Sequence, residues 1–497
     1  MPQSDPHGIS RRSLLRGAAV GGATMAASPL LGLSAVAQAQ DLDSGDYTIR
    51  YDTGARQTIL GLGFEIQSDS IGSGNNGLPS LVSGVPYDLT AAERTRFYQQ
   101  MLKVRSDRGF RYCRLALGLY HRGLDETGKH MIDRYPGQTE LLGEMIQQAG
   151  IEGIAAEYWS PAPGWKSNNS YIKGTLASYD PAFLDQLGDA MVGDLDHLAQ
   201  RGIPVSMWGL QNEPSESTAY SSCTYDAAQY LAAFKAVAPK VRAKYPHAMI
   251  HADSQHGWHG DRGKAILADP QALSYVDAWT FHRVGKNSDE QISGDYTSGA
   301  AGKLVFNNEF EYLHPSSPFN RTLNTAQSIM NWMVFQNAPT WFWLHALKPT
   351  TNSESRGYSL GFWRPPHDTD FSRYKHIKAG HWDFNPENWN AVAGFVRYMP
   401  WNSVRHHVEE PRHTDGTPYR DHRIMAWKTP QGKPVLAITN RSSSTPFTYT
   451  VDTQTAAAFQ GHRFGPSTHN QTLNTRTGPT LALTVPPLSI EFWVQAS

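Results

Sequence analysis

Two glutamates stand where an apolar stretch of strand character comes to an end. Glu213 closes the run Met207-Trp208-Gly209-Leu210-Gln211-Asn212-Glu213-Pro214, and Glu309 closes a similar one far downstream, Lys303-Leu304-Val305-Phe306-Asn307-Asn308-Glu309. A carboxyl that gives a proton to a leaving oxygen and a second that attacks carbon make up the pair needed for double displacement at an acetal carbon, the retaining cleavage of a glycosidic bond. The acid must keep its proton near neutral pH and the nucleophile must stay ionised, so the two need different surroundings. Asn212 is placed to bind the sugar hydroxyl next to the reacting carbon. Glu311 lies two residues beyond Glu309 and faces the same way along an extended chain, which makes it the alternative nucleophile.

Elements that would position such a pair recur from about residue 58 to 350. Short apolar strand candidates alternate there with amphipathic helical stretches: Ile59–Glu65, Tyr112–Leu117, Gly153–Trp159, Val205–Gln211, Met249–Asp253, Ala278–His282, Leu304–Glu309 and Thr340–Leu344. This is the pattern of a (β/α)8 barrel, an α/β fold whose active site sits at the C-terminal ends of its strands. One helix is plain: Asp180 is placed to cap it and Pro181 suits its first turn. Leu184, Leu187, Met191, Leu195 and Leu198 follow at spacings of three and four, and Arg201-Gly202 ends it. After about residue 400 the texture changes to alternating stretches broken by Pro, Gly and Asn: Arg423–Trp427, Pro434–Thr439, Thr448–Val451, Leu481–Val485 and Leu488–Val494. They predict an antiparallel β-sandwich, to which Tyr47–Tyr51 adds a strand from the other end of the chain. The expected division is an export signal over 1–39, a sandwich strand within 40–57, the barrel over 58–395 and the rest of the sandwich over 396–497.

Composition narrows the partners. The chain of 497 residues carries 44 basic against 45 acidic side chains, and this balance gives no long-range field for DNA, RNA or an anionic membrane. The 14 Trp and 22 Tyr supply flat faces for stacking on sugar rings, although aromatics mostly fill cores. Ser10-Arg11-Arg12-Ser13-Leu14-Leu15 opens a Gly/Ala-rich stretch ending in Ala35-Val36-Ala37-Gln38-Ala39, which reads as a twin-arginine export signal. The precursor would therefore meet the Tat machinery, and the mature chain, without a membrane anchor, would be periplasmic or secreted. Cys113 and Cys223 are expected to be free thiols, not a disulfide framework. His251, His256 and His259 raise the question of a metal, but their spacing matches no zinc pattern; neither metal nor cofactor is expected.

Motifs then point to a family. Gly61-Leu62-Gly63-Phe64, the loop Trp159-Ser160-Pro161-Ala162-Pro163-Gly164-Trp165-Lys166-Ser167-Asn168, and Gly202-Ile203-Pro204 leading to Gln211-Asn212-Glu213-Pro214 resemble the first-, third- and fourth-strand motifs of glycoside hydrolase family 30 and its clan of (β/α)8 retaining glycosidases. The resemblance spans about residues 45 to 497. It implies Glu213 as acid/base, Glu309 as nucleophile, Arg114 on strand two supporting the nucleophile and Trp159 lining the sugar site; Trp165, His282 and Trp343 are further candidates for holding the substrate. There are departures. Glu65 follows the first-strand motif and either grips sugar hydroxyls or forms a structural salt bridge, Val284 replaces the aromatic expected after His282, and His345 stands where the family tends to place Asn. The insertions Asp69–Leu89 and Pro349–Pro386 either wall off one end of the cleft or extend it. The same residues also suit a transglycosylase, and a carbohydrate-binding protein that has lost catalysis is the reading from another class.

Overall fold

The computed structural model describes residues 42–66, 89–105, 108–256, 260–282, 288–294, 296–311, 318–350, 359–365 and 374–496. The expected export signal, Val284, His259 and most of the insertion after strand one fall outside them, as do parts of Pro349–Pro386. Eight strands follow one another round a barrel: β1 (Leu62–Glu65), β2 (Arg108–Leu117), β3 (Gly153–Tyr158), β4 (Val205–Gly209), β5 (Met249–His256), β6 (Ala278–His282), β7 (Leu304–Phe310) and β8 (Trp341–Trp343). All these pairings are parallel, and β8 returns to β1 through Phe342 opposite Gly63, which closes the barrel. Helices fill the connections, among them Gln138–Ala149, Pro181–Ala199, Ala227–Lys244, Pro318–Phe335 and, after β8, Pro386–Tyr398.

Pro181–Ala199 buries Leu184, Leu187, Met191, Leu195 and Leu198, as its spacing predicts. Asp180 makes no capping bond, because its carboxylate takes the Ser178 hydroxyl at 2.8 Å instead. The first barrel strand is shorter than Ile59–Glu65. Ile59 ends a separate strand, Ala55–Ile59, that pairs with Ser403–His406 in the sandwich, and the chain turns into the barrel at Gly61 with φ +134°. A Cβ there would stand 2.8 Å from Cδ1 of Trp401, so both the dihedral and the space demand glycine.

Two sheets form the sandwich. Ser44–Ile49 lies in the smaller one with Val408–Glu409, Phe447–Asp452 and Thr480–Val485; Ala55–Ile59 edges the larger one, whose centre is His422–Lys428, Pro434–Asn440 and Ser489–Gln495. Both ends of the chain thus contribute. The smaller sheet covers the core on one face only, so Leu481, Leu483 and Val485 are buried while Thr480, Ala482 and Thr484 are exposed. The larger sheet is covered on both faces, and Pro434–Asn440 is buried throughout. Leu436 and Ile438 face the sandwich core, whereas Val435 and Ala437, with Phe492 from the neighbouring strand, join the barrel's hydrophobic core. At Gly394, on the helix after β8, an added Cβ would collide with the Phe492 ring, a measure of how closely helix and sheet approach. Such packing ties the sandwich to the barrel without a hinge.

Candidate active site

The floor below the strand ends is apolar. Phe342 stacks on Tyr112 and on Phe306, with centroids 6.2 Å and 6.0 Å apart, and it lies where a side chain on Gly63 would be. Above this layer the inward positions turn polar and charged, and Arg114 on β2 becomes the hub. It is 1% exposed. Its Nη1 donates to Glu309 Oε2 at 2.7 Å, its Nη2 to Asn212 Oδ1 at 2.8 Å and its Nε to Glu157 Oε2 at 2.9 Å; Glu65 Oε2 stands 3.5 Å from Nη1. The guanidinium lies 4.5 Å over the Trp159 ring, which fixes its plane. Burial opposes the Arg114 charge, but Glu157, Glu309 and Glu65 outweigh it and hold the group above its usual value.

Glu213 reaches the cluster from the turn after β4. Its φ is +45°, an uncommon conformation for a residue with a side chain, and three contacts hold it. Its N–H donates to Ser254 O at 2.8 Å, the preceding Asn212 N–H to Tyr158 O at 2.7 Å, and Gln211 Nε2 to Trp159 O at 2.8 Å. Its carboxylate Oε1 is 2.9 Å from His282 Nδ1. His282, fully buried, stands between the two glutamates, with Nε2 3.7 Å from Glu309 Oε2 and 3.1 Å from Ser254 Oγ. Oxygens of Glu213 and Glu309 and a ring nitrogen of His282 lie within 4.8 Å of one another.

Glu157 and Asn308 belong to this network and lie outside the candidates drawn from the sequence. Asn308 Nδ2 donates to Glu157 Oε2 at 3.2 Å and to Ser254 Oγ at 2.7 Å, so it joins β7, β3 and β5. Burial pushes the Glu157 carboxyl up, yet Arg114, with His251 and His282, brings it below its ordinary value. His251 is driven down to about 4, chiefly by burial, and its Nδ1 meets Thr280 Oγ1 at 3.1 Å.

The remaining candidates divide. Glu65 and His345 join the cluster, with Glu65 Oε1 3.3 Å from His345 Nε2. Glu311 is held by His345 Nδ1 at 3.3 Å, whereas Glu309 takes Arg114 and faces Glu213. Trp165 gives its indole N–H to Lys129 O at 2.7 Å, in the loop after β2, and packs edge-on against Phe183 of the helix Pro181–Ala199. Trp343 packs away from this cluster. Phe342 points into the barrel, so alternation turns Trp343 outward, onto Phe310 and Trp341.

Among the described residues, two groups of side chains have spacings that a cation could use. In Glu213, His282 and Glu309 the positive charge already comes from Arg114. In the other, His197 Nε2 lies 3.1 Å and His121 Nε2 3.6 Å from Asp133 Oδ1, while Asp133 Oδ2 accepts the Thr139 N–H at 3.2 Å in the first turn of Gln138–Ala149. Arg201 Nη1 is 3.1 Å from His197 Nδ1, so the ring proton sits on Nε2 and points at Asp133. That makes this group a staple between two helices and the loop after β2.

No family model matches the chain, and no curated protein matches it in sequence. Solved structures do match. The catalytic domain of a glycoside hydrolase family 30 xylanase from Talaromyces cellulolyticus superposes with a TM-score of 0.68 at 16% identity, over 91% of this chain and 100% of that one. An endo-β-1,6-glucanase gives 0.65 at 15% over 91% and 94%, and a conserved exported protein from Bacteroides fragilis gives 0.71 at 12% over 90% and 99%. The chain has the fold of the family 30 structures, a (β/α)8 barrel with its attached sandwich.

Proposed function

We propose that the protein is an exported retaining glycoside hydrolase acting on β-linked oligo- or polysaccharide, with Glu213 as acid/base and Glu309 as nucleophile. The observation that carries this reading is the approach of the two carboxylates to within 4.8 Å. Retaining enzymes hold theirs about 5–5.5 Å apart, whereas inverting enzymes need about 6.5–9.5 Å to admit a water. In the first step Glu309 attacks the anomeric carbon and forms an ester as Glu213 gives its proton to the departing oxygen. In the second, Glu213 takes a proton from water, which attacks the same carbon and releases Glu309. Arg114 keeps the nucleophile ionised, and Asn212, itself oriented by Arg114, offers its amide to the neighbouring hydroxyl. His282 touches both carboxylates and fixes their separation.

Export rests on the twin-arginine motif near the start of the chain. Among the described residues no helix is long and apolar enough to cross a membrane. The test is hydrolysis of a panel of aryl glycosides and β-glycans by the chain from about residue 40 onward. Activity is expected on at least one member, lost in Glu309→Gln, and in Glu213→Gln retained only with activated leaving groups. Equal activity in all three proteins would remove the assignment, and silence across the panel would favour a binding role.

A further inference from the structure

Double displacement gives no step to one titratable ring close to the nucleophile. His345, 4% exposed just beyond β8, presents each ring nitrogen to a different carboxylate. Nε2 stands 3.3 Å from Glu65 Oε1 at the end of β1, and Nδ1 stands 3.3 Å from Glu311 Oε2 beyond β7; the Tyr120 hydroxyl, from the loop after β2, is 3.5 Å from Nε2. A neutral imidazole carries one N–H and one lone pair, so it satisfies one carboxylate and turns its lone pair on the other. The imidazolium satisfies both. Glu65 is shared in turn, because its other oxygen lies 3.5 Å from Arg114 Nη1, the nitrogen that holds Glu309 at 2.7 Å. With His345 protonated, charge alternates along Glu311, His345, Glu65, Arg114 and Glu309.

We propose that His345 is a positioning residue: as an imidazolium between Glu65 and Glu311 it draws Glu65 toward itself and leaves Arg114 Nη1 to Glu309. Its kinetic consequence rests on the reading of Glu309 as the nucleophile; its protonation state does not. Without the charge on His345, Glu65 competes with Glu309 for the guanidinium, and Glu309 becomes harder to ionise. Removing Glu65's charge ends the competition and acts in the opposite sense.

The test has two arms. Histidine-selective 15N NMR, with the His345 signals identified by their loss in His345→Gln, is expected to show both nitrogens protonated at about pH 7.5, where an unperturbed imidazole of pKa about 6.5 is mostly neutral. Glu311→Gln is expected to neutralise the ring at that pH. In the second arm, kcat/KM is followed against pH on an aryl glycoside. His345→Gln is expected to move the acidic limb up by about half a unit to one unit, Glu65→Gln to move it down by a similar amount, and the double variant to return toward the unsubstituted protein. A side chain that only packs would lower activity or stability and leave the limb in place. A neutral His345 at pH 7.5, or single variants whose acidic limb does not move, overturns the inference. Absence of any hydrolysis would instead sink the glycosidase reading, and the NMR arm alone would then decide.

Discussion

Replacing Arg114 by Met keeps the reach of the side chain and deletes the cation that Glu157, Glu309, Glu65 and Asn212 share. The three carboxylates are at most 1% exposed, so solvent cannot stand in for the missing group. Stranding one side of a buried ion pair costs about 3–5 kcal/mol. With an unfolding entropy of about 2.1 cal/mol/K per residue, a chain of 497 residues loses about 1 °C of Tm per kcal/mol, so a fall of about 3–5 °C is expected near neutral pH. The pH dependence gives the sharper check. In the native protein burial pushes Glu157 up and Arg114 pulls it further down. A carboxyl depressed on folding contributes stability that is present above the ordinary carboxylate range and lost as pH falls through the depressed value. In the variant the largest charge opposing burial is gone and only the weaker pulls of His251, His282 and Ser254 remain, so Glu157 takes up a proton as pH falls and the cost of the stranded charge goes with it. The Tm gap between the two proteins should be widest near neutral pH and narrow by about pH 4. Calorimetry at a series of pH values reads it, and a gap that stays constant or widens in acid refutes the argument. Activity should fall at least about 100-fold, as when one donor to a developing charge is lost.

Gly61→Ala should destabilise by about 1–3 kcal/mol, seen as a lower denaturation midpoint, because φ is +134° and the new Cβ would meet Trp401; activity per folded molecule should be unchanged. Both thiols are buried, and burial pushes Cys113 up and Cys223 up to about 11. Neither should react with a disulfide reagent in the native protein, and both should do so in denaturant, which a thiol titration counts directly.

Much of this architecture is written in local pattern. The strand candidates survive because a parallel barrel buries both faces of each strand, leaving short apolar runs that end in polar residues. The pattern fails where it lacks contrast or where geometry breaks the alternation. Ile59 and Leu62 are both apolar, so nothing in hydropathy separates a sandwich strand from a barrel strand; only Gly61 marks the turn. Trp341-Phe342-Trp343 is aromatic throughout and does not say which face is which. At Asn308-Glu309 a register shift between β7 and β8 turns two successive side chains inward, so strict alternation cannot assign both. Glu157 had a usable signal: a carboxylate inside Gly153–Tyr158, a strand otherwise without charge and buried along its whole length, must have a partner waiting for it.

In the proposed mechanism Glu309 forms a covalent ester and Glu213 serves both steps. Proton NMR of the first product released from a hydrolysed β-glycoside tests it most directly, before mutarotation blurs the anomer. The β-anomer is expected first. The α-anomer appearing first would mean a single displacement by water, and the two glutamates would need other roles.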